Sequence, residues 1–409
     1  MHEFNHERPL IMHIDLNSAF ATAEQQARPM LRGKPVAIVN RRTDSTAIVT
    51  ASYEAKARGV KVGMKLRDAK ILCPDIIGLE SDPAKYRYIY HRLLDIMNDY
   101  SAHVTMKSID EGIIDFHDSP AAIAGRDLVE IGHEIKQRLK EEVGVWMRCN
   151  VGIATNRFLA KTAAGLHKPD GLDVITSTNL REVLGQLELT DLTGIAKHNE
   201  RRLNSVGIMT PLDFLDADVV TLHRVVFKSV VGEWWYKRLR GWEVDDVSHD
   251  IKRVGRQYVL ESFTLSYEQI LQRLHHLCES VGSRMRKQGK AARGIYVYAK
   301  TRERHYWHAS SMAMLPFSSD QTIFQLAREL FKNAPNDMNE IGVHCYELED
   351  AGESQLSLFR DQVVRERHAT AVIDQINQRF GERTLHSADT LGTGIYVKQK
   401  IPFGSTRYF

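Results

Sequence analysis

Apolar and polar positions follow two periods along the first 180 residues, and the switches between them outline the elements. The run LIMHID over residues 10–15 is apolar until it stops on Asp15, which predicts a buried strand. Residues 18–30 predict a helix ending near Pro29. VAIVN and TAIVTAS predict two short strands, and YEAKARGV a helix stopped by Gly59. Tyr86, Ile89, Leu93 and Met97 recur at three- and four-residue steps, so 83–100 predicts an amphipathic helix. VTMKSIDEGIIDF reads as two strands with a tight turn at Asp110–Glu111–Gly112. Leu128, Ile131, Ile135 and Leu139 mark one face of a helix over 121–142. MRCNVGIA follows as a strand and NRFLAKTAAG as a helix capped at Thr155/Asn156. Strands and helices alternate, but the hairpin excludes an all-parallel sheet. The pattern predicts an α+β sheet with helices on one face.

The texture changes after about residue 180. LTDLTGIAKHNERRLNSVGIMTPLDFL is helical, with glycine turns at Gly194 and Gly207. Two short helices around a GIA hairpin resemble a helix-hairpin-helix unit, whose backbone N–H groups can hold a phosphate without reading sequence. A small helical packing domain is the alternative. A second α+β pattern follows: the strand RVGRQYVLESFTL, a helix over 268–287, the strand GIYVYAKT, a helix over 320–333 and the strand IGVHCYEL. The last 60 residues open on the acidic-polar linker EDAGES and include a helix, AVIDQINQRFG.

Composition bounds the class. A chain of 409 residues is too long for one ordinary core, and two to four domains are expected. Hydrophobic residues at 43% and charged residues at 26% describe a soluble globular protein. No apolar run approaches the roughly 18 residues of a membrane span. The N-terminus is polar and acid-bearing, unlike a signal peptide. Cys73, Cys149, Cys278 and Cys345 are scattered without a CxxC pair, which argues against structural zinc and for a reducing, cytoplasmic compartment. Net charge is only +3, but Lys252 to His305 holds 12 Lys/Arg against 4 Glu. IKRVGRQYV alternates basic and apolar residues, a pattern that can bring Lys252, Arg253 and Arg256 to a phosphate backbone. Such a block is more often a solvated face.

The strongest chemical signal is acid at the ends of apolar strands. Aspartate is a poor strand residue, and burying its charge is costly without a cation or partner. Asp15 ends one apolar run, and Asp110 and Glu111 interrupt another. Three carboxylates brought together by a fold repel one another until a divalent cation arrives. Hard oxygen donors suit magnesium with substrate phosphates, which points to phosphoryl transfer. On its own, Asp110–Glu111–Gly112 also reads as a turn rich in turn formers.

Five motifs in order carry a closer identification: HIDLNSAFATAE, TASYEAKARGVKVGM, SIDEGIIDF, VGIATNRFLAKTAAGLHKPDG and TGIAKHNERRLNSVGI. Over roughly residues 10–350 they resemble the Y family of translesion DNA polymerases, which includes bacterial polymerases IV and V. The resemblance implies an α+β multidomain right-hand fold. Palm would be 1–18 and 86–178, fingers 19–85, a helical thumb with the helix-hairpin-helix 179–245, the α+β little finger 252–350, and a C-terminal tail 351–409. It implies that Asp15, Asp110 and Glu111, with the Leu16 backbone carbonyl, ligate two Mg2+ ions, with Mn2+ an expected substitute. Phe20 would be the steric gate against a ribose 2′-hydroxyl. Thr50, Tyr53, Lys56 and Lys168 would contact the incoming triphosphate, and Gly194 and Ala196 would meet the DNA backbone together with Lys252, Arg253 and Arg256. Three positions depart from the usual pattern. Asn17 stands where an acid is common, Ala19 where a second aromatic is common, and Lys56 where arginine is usual. Lysine keeps the charge but loses the bidentate fork; either nucleotide binding is weaker or Arg58 compensates.

The fingers segment has no long helix to close over a nascent pair, which fits the low fidelity the resemblance implies. QLSLF, with Gln355, Leu356, Leu358 and Phe359, resembles the bacterial sliding-clamp binding pentapeptide. A hydrophobic pocket would take its apolar side chains, and such a tether raises effective concentration. Primer-template DNA, dNTP and the clamp are the expected partners, in a bacterial, nucleoid-associated cytoplasmic setting. The segment after QLSLF is similar to polymerase V-type subunits, and a polymerase V-like identity would add an accessory mutagenesis protein. Two other classes compete. A non-catalytic polymerase-like accessory DNA-binding protein would be expected to lose the carboxylates. A two-metal nucleotidyl cyclase would have no use for the hairpin, the basic domain or the clamp motif.

Overall fold

The computed structural model describes residues 3–247, 250–262, 264–303, 305–351 and 360–397. Twelve strands are formed among them: β1 Ile11–Leu16, β2 Val36–Val39, β3 Ile48–Ala51, β4 Ile77–Glu80, β5 His103–Met106, β6 Glu111–Asp115, β7 Cys149–Ala154, β8 Leu172–Val174, β9 Arg253–Val259, β10 Lys290–Thr301, β11 Tyr306–Phe317 and β12 Met338–Asp350. The chain divides into two compact units, over Met1–Val247 and Ser248–Gln399.

The first unit is built around a five-stranded sheet of order β5-β6-β1-β7-β8, antiparallel except for the β7–β8 pair. Its middle strand, β1, is apolar because it is bonded on both edges and covered on both faces. Met12, Ile14 and Leu16 pack with Leu93, Met97, Ile131 and Ile135 from the helices Pro83–Asn98 and Leu128–Arg138. Ile11, on the other side, packs with Phe158 and Leu159 of the helix Arg157–Leu166. Each such buried side chain contributes roughly 1.5–3 kcal/mol. Helices on both faces correct the one-faced sheet expected from the pattern. The cause is Gly152: a Cβ there would lie 2.0 Å from the Ala160 carbonyl oxygen, so only glycine lets that helix settle onto β7.

The helix expected over 121–142 is broken. Pro120–Ile123 stops before Gly125, at φ 71°, and Leu128–Arg138 restarts with Asp127 accepting from the Val129 amide at 3.0 Å. Residues 19–85 hold the helix Ala19–Ala27, a three-stranded sheet of order β3-β2-β4, and the short helices Tyr53–Ala57 and Leu66–Leu72. Residues 180–239 are helical around Phe214, Phe227 and Trp235. Their end is tied back to the sheet by Thr155 Oγ1, which donates to the Gly241 carbonyl at 2.8 Å, and by Arg157 with Glu243 at 2.9 Å.

The second unit is an antiparallel sheet of order β11-β10-β12-β9, with Ile295, Val297, Ile341, Val343 and Cys345 fully buried. Strand β11 was not legible in the pattern. Its outer residues alternate with Ala309, Ser311 and Ala313, which are too small to read as an apolar face. The capped helix Tyr267–Lys287 packs against the sheet and against the helix Asp320–Phe331. Residues 360–397 belong to this unit: Arg286 pairs with Asp374 at 2.6 Å, and His276 Nδ1 meets Thr393 Oγ1 at 2.8 Å.

Candidate active site

Strand register brings the carboxylates together. Asp15 lies opposite Glu111 on β6 and opposite Asn150 on β7, and the Leu16 amide donates to the Asp110 carbonyl at 2.8 Å. The β5–β6 turn is closed by the Lys107 amide donating to the Glu111 carbonyl at 2.9 Å, and Ser108 Oγ donates to Asp110. Asp15, Asp110 and Glu111 therefore share one end of the sheet, and none is fully buried.

The cluster is rich in negative charge, and cationic side chains answer it. Lys168 Nζ lies 2.6 Å from Asp15 Oδ2, and Lys161 Nζ donates to both Glu111 oxygens at 2.9 and 2.7 Å. His13, 1% exposed, brings Nε2 within 3.2 Å of Glu111 Oε2. Burial, and then the neighbouring Asp15 and Glu111 carboxylates, push the Asp110 carboxyl above its ordinary range, against the hydrogen bond from Ser108. Burial alone would raise Glu111 too, but the hydrogen bonds from His13 and Lys161 bring it down to about 2. Ligand atoms of His13, Asp15 and Glu111 all lie within 4.8 Å of one another. Two carboxylates and an imidazole this close, with the carboxylates already drawing ammonium groups, fit a divalent cation, and Asp110 lies outside this closest group.

Three of the nucleotide-contact candidates, Tyr53, Lys56 and Lys168, gather at the same end. Ser18, at φ 46° and ψ 45°, accepts from Lys56 Nζ at 2.8 Å, and that ammonium sits 4.8 Å from the centre of the Tyr53 ring. Burial and then the nearby Lys168 charge lower the Lys56 ammonium; burial and then Asp15 raise the Tyr53 hydroxyl. Tyr53 and Lys56 thus share the field of Asp15 and Lys168. Thr50 is half-buried on β3, three residues before Tyr53. Arg58 is committed elsewhere, to Asp75 and the Cys73 sulfur, so it does not stand in for an arginine at 56. Phe20 is 5% exposed, its ring stacked on Tyr86 with centroids 4.4 Å apart. Tyr86 is itself fixed by Glu24 at 3.1 Å, and Glu24 is paired with Lys85.

The remaining candidates separate. Gly194, at φ 101°, and Ala196 are exposed at the start of the helix Lys197–Asn204, and Asn199 Nδ2 donates to the Gly194 carbonyl at 3.0 Å. In the second unit Lys252 and Arg253 are exposed, but Arg256 has the opposite parity on β9 to Arg253. Its guanidinium is bound to Ser280 Oγ and to the Val397 carbonyl at 3.3 Å, and burial lowers it to about 10. Of the three residues expected at a phosphate backbone, Arg256 is thus turned to the other face of β9 from Arg253. Gln355, Leu356, Leu358 and Phe359 lie outside the described residues. Sequence reasoning passed over His13 and Lys161. The signals were there: His13 is two residues before Asp15 on the same strand face, and Lys161 is one turn after Arg157 in a motif already noted.

Known proteins are similar to this chain over most of its length. Residues 14–165 match the impB/mucB/samB family and residues 252–358 its C-terminal domain. The chain is 34% identical over 403 residues to DNA polymerase IV of Moorella thermoacetica, covering 94% of this chain and 97% of that protein. It is 29% identical over 389 residues to DNA polymerase IV of Oceanobacillus iheyensis, covering 92% and 91%. Among solved structures, a Y-family DNA polymerase chimera of Dbh and Dpo4 is similar with TM-score 0.70 and 25% identity, covering 82% of this chain and 98% of that one. An insertion ternary complex of Dbh DNA polymerase is similar with TM-score 0.57 at the same identity and coverage.

Proposed function

The chain belongs to the impB/mucB/samB family of Y-family translesion DNA polymerases and is a DNA-directed DNA polymerase, and we propose that it extends primers with low fidelity by two-metal nucleotidyl transfer from dNTP while tethered to a sliding clamp. The observation that carries the chemistry is the register Asp15 opposite Glu111, with Asp110 bonded to Leu16. Asp15, Asp110, Glu111 and the Leu16 carbonyl would hold Mg2+, with Mn2+ an alternative. Bound there, such ions supply activation of the primer 3′-hydroxyl and charge stabilisation of the leaving pyrophosphate.

The chain's own side chains do the rest. Lys168, Lys56 and Tyr53 present two ammonium groups and a hydroxyl to the triphosphate, with Thr50 beside them. Phe20 excludes a 2′-hydroxyl, and its stacking on Tyr86 keeps the ring from yielding. His13 and Lys161 hold the Glu111 carboxylate in its charged form. The longest helix within residues 19–85 is nine residues, too short to close over a base pair, which supports weak geometric checking. Gly194 and Ala196 in the first unit, and separately Lys252 and Arg253 in the second, would contact primer-template DNA. In this reading the palm is 1–18 and 86–178, the fingers 19–85, the thumb 179–245 and the little finger 252–350. No helix among the described residues is long and apolar enough to cross a membrane; a cytoplasmic, nucleoid-associated location follows from a DNA substrate.

Primer extension tests the assignment. Asp110→Asn keeps the shape of the turn and removes one carboxylate charge. It is expected to abolish extension, by at least about 10³-fold in kcat, with primer-template affinity retained. Extension at the native rate would remove Asp110 from the metal site.

A further inference from the structure

The turn that carries Lys168 is gripped from beneath by two side-chain amides. Asn17, 2% exposed, follows β1, and Asn150, fully buried, lies in β7. Asn17 Oδ1 accepts from the Asp170 amide at 2.7 Å, and Asn17 Nδ2 donates to Asn150 Oδ1 at 2.8 Å. Asn150 Nδ2 in turn donates to the His167 carbonyl at 3.0 Å. The relay thus begins and ends on the residues that bracket Lys168 and Pro169. Lys136 secures the far side of the same turn, donating to the Gly171 carbonyl at 3.3 Å. Gly171 completes the fit: a Cβ there would lie 2.2 Å from the His167 oxygen and 3.0 Å from Asn150 Nδ2.

The relay needs an amide at position 17. An aspartate would still accept from the Asp170 amide, but its second oxygen would face Asn150 Oδ1. Turning the Asn150 amide to donate to it would set Asn150 Oδ1 against the His167 carbonyl. One oxygen–oxygen contact survives either way, in a buried setting where an unmatched polar group is costly. Asn17, a departure from the common pattern of the resembling enzymes, is therefore matched by Asn150 on the neighbouring strand.

We propose that Asn17 and Asn150 are positioning residues that set the reach of the Lys168 ammonium toward the nucleotide triphosphate. This rests on Lys168 being a triphosphate ligand, and the two claims fail separately. Single-nucleotide primer extension is measured on the full chain for the native enzyme, Asn17→Asp, Lys168→Ala and the double variant. Asn17→Asp is expected to raise the dNTP KM about tenfold with kcat within about twofold, and to add nothing once Lys168 is alanine. An unchanged KM in Lys168→Ala overturns the ligand reading and the proposal with it. A raised KM in Lys168→Ala with a native KM in Asn17→Asp overturns the proposal alone, as does full additivity in the double variant. Hydrogen exchange on the native enzyme serves if Asn17→Asp fails to fold. The Asp170 amide is expected to be protected, and exchange at the rate of an open turn also overturns the proposal.

Discussion

Glu111 is held by two donors, His13 and Lys161, and Phe20 is backed by the Tyr86 ring. Phe20→Ala would leave a void against Tyr86 where the ring now stacks. It is expected to raise ribonucleotide incorporation relative to deoxyribonucleotide by at least tenfold. Sugar selectivity equal to the native enzyme's, measured in single-nucleotide insertion, would remove the gate. The carboxylates were legible in the sequence because acid at the end of an apolar run is expensive and therefore conspicuous. Lys161 and His13 carried weaker signals, the spacing of one from Arg157 and of the other from Asp15, which gain meaning only once the fold places them 2.7 and 3.2 Å from the same carboxylate. Arg256 misled for the converse reason: charge alone does not tell a surface side chain from one bonded beneath its sheet.

Among the elements, the helix Tyr267–Lys287 and the C-terminal segment share a buried polar seam. His276 is 2% exposed, and burial, followed by the nearby Arg383 and Arg256 charges, lowers its imidazole to about 2. His275, stacked on Phe324 at 3.8 Å, is lowered for the same first reason. The native state keeps His276 neutral, while the unfolded chain takes up its proton below about pH 6.5. The unfolded state then binds more protons, so the contribution is fully present above pH 6.5 and is lost as pH falls. Between pH 6.5 and 5 the loss is about 2 kcal/mol. Thermal melts of His276→Asn are expected to show a flatter fall over that window, and an identical slope would show that His276 protonation is not the cause. The periodicities found most helices because long apolar stripes are redundant signals. They missed β11, where small residues fill the inner face, and they missed the second helical layer, because Gly152 reports close approach only once its neighbours are known.

For the molecule as a whole, the order of motifs was the most legible property, since five segments in sequence constrain a fold more than any one does. The family match over residues 14–165 spans nearly all of the first four motifs, while the fifth, at 193–208, lies between it and the second match over 252–358. The proposed clamp pentapeptide belongs to this scale, because its value would depend on what it tethers rather than on local chemistry. Leu358→Ala with Phe359→Ala is expected to leave extension by the enzyme alone unchanged. Stimulation by an added sliding clamp would fall by roughly 10²-fold. Undiminished stimulation of that double variant would send the search for the tether elsewhere.

The position of β1 sets how the enzyme ages. Its two edges are bonded along their length to β6 and β7, and those three strands hold Asp15, Glu111 and Asn150. Fraying starts at edges and loop tips, where few bonds must break. Those three residues stay in register until the whole sheet gives way, whereas Asp110 and Lys168 sit on turns outside the strands. Activity is therefore expected to decline ahead of the sheet on heating or in denaturant, and molecules that have kept β1 paired would recover it on cooling.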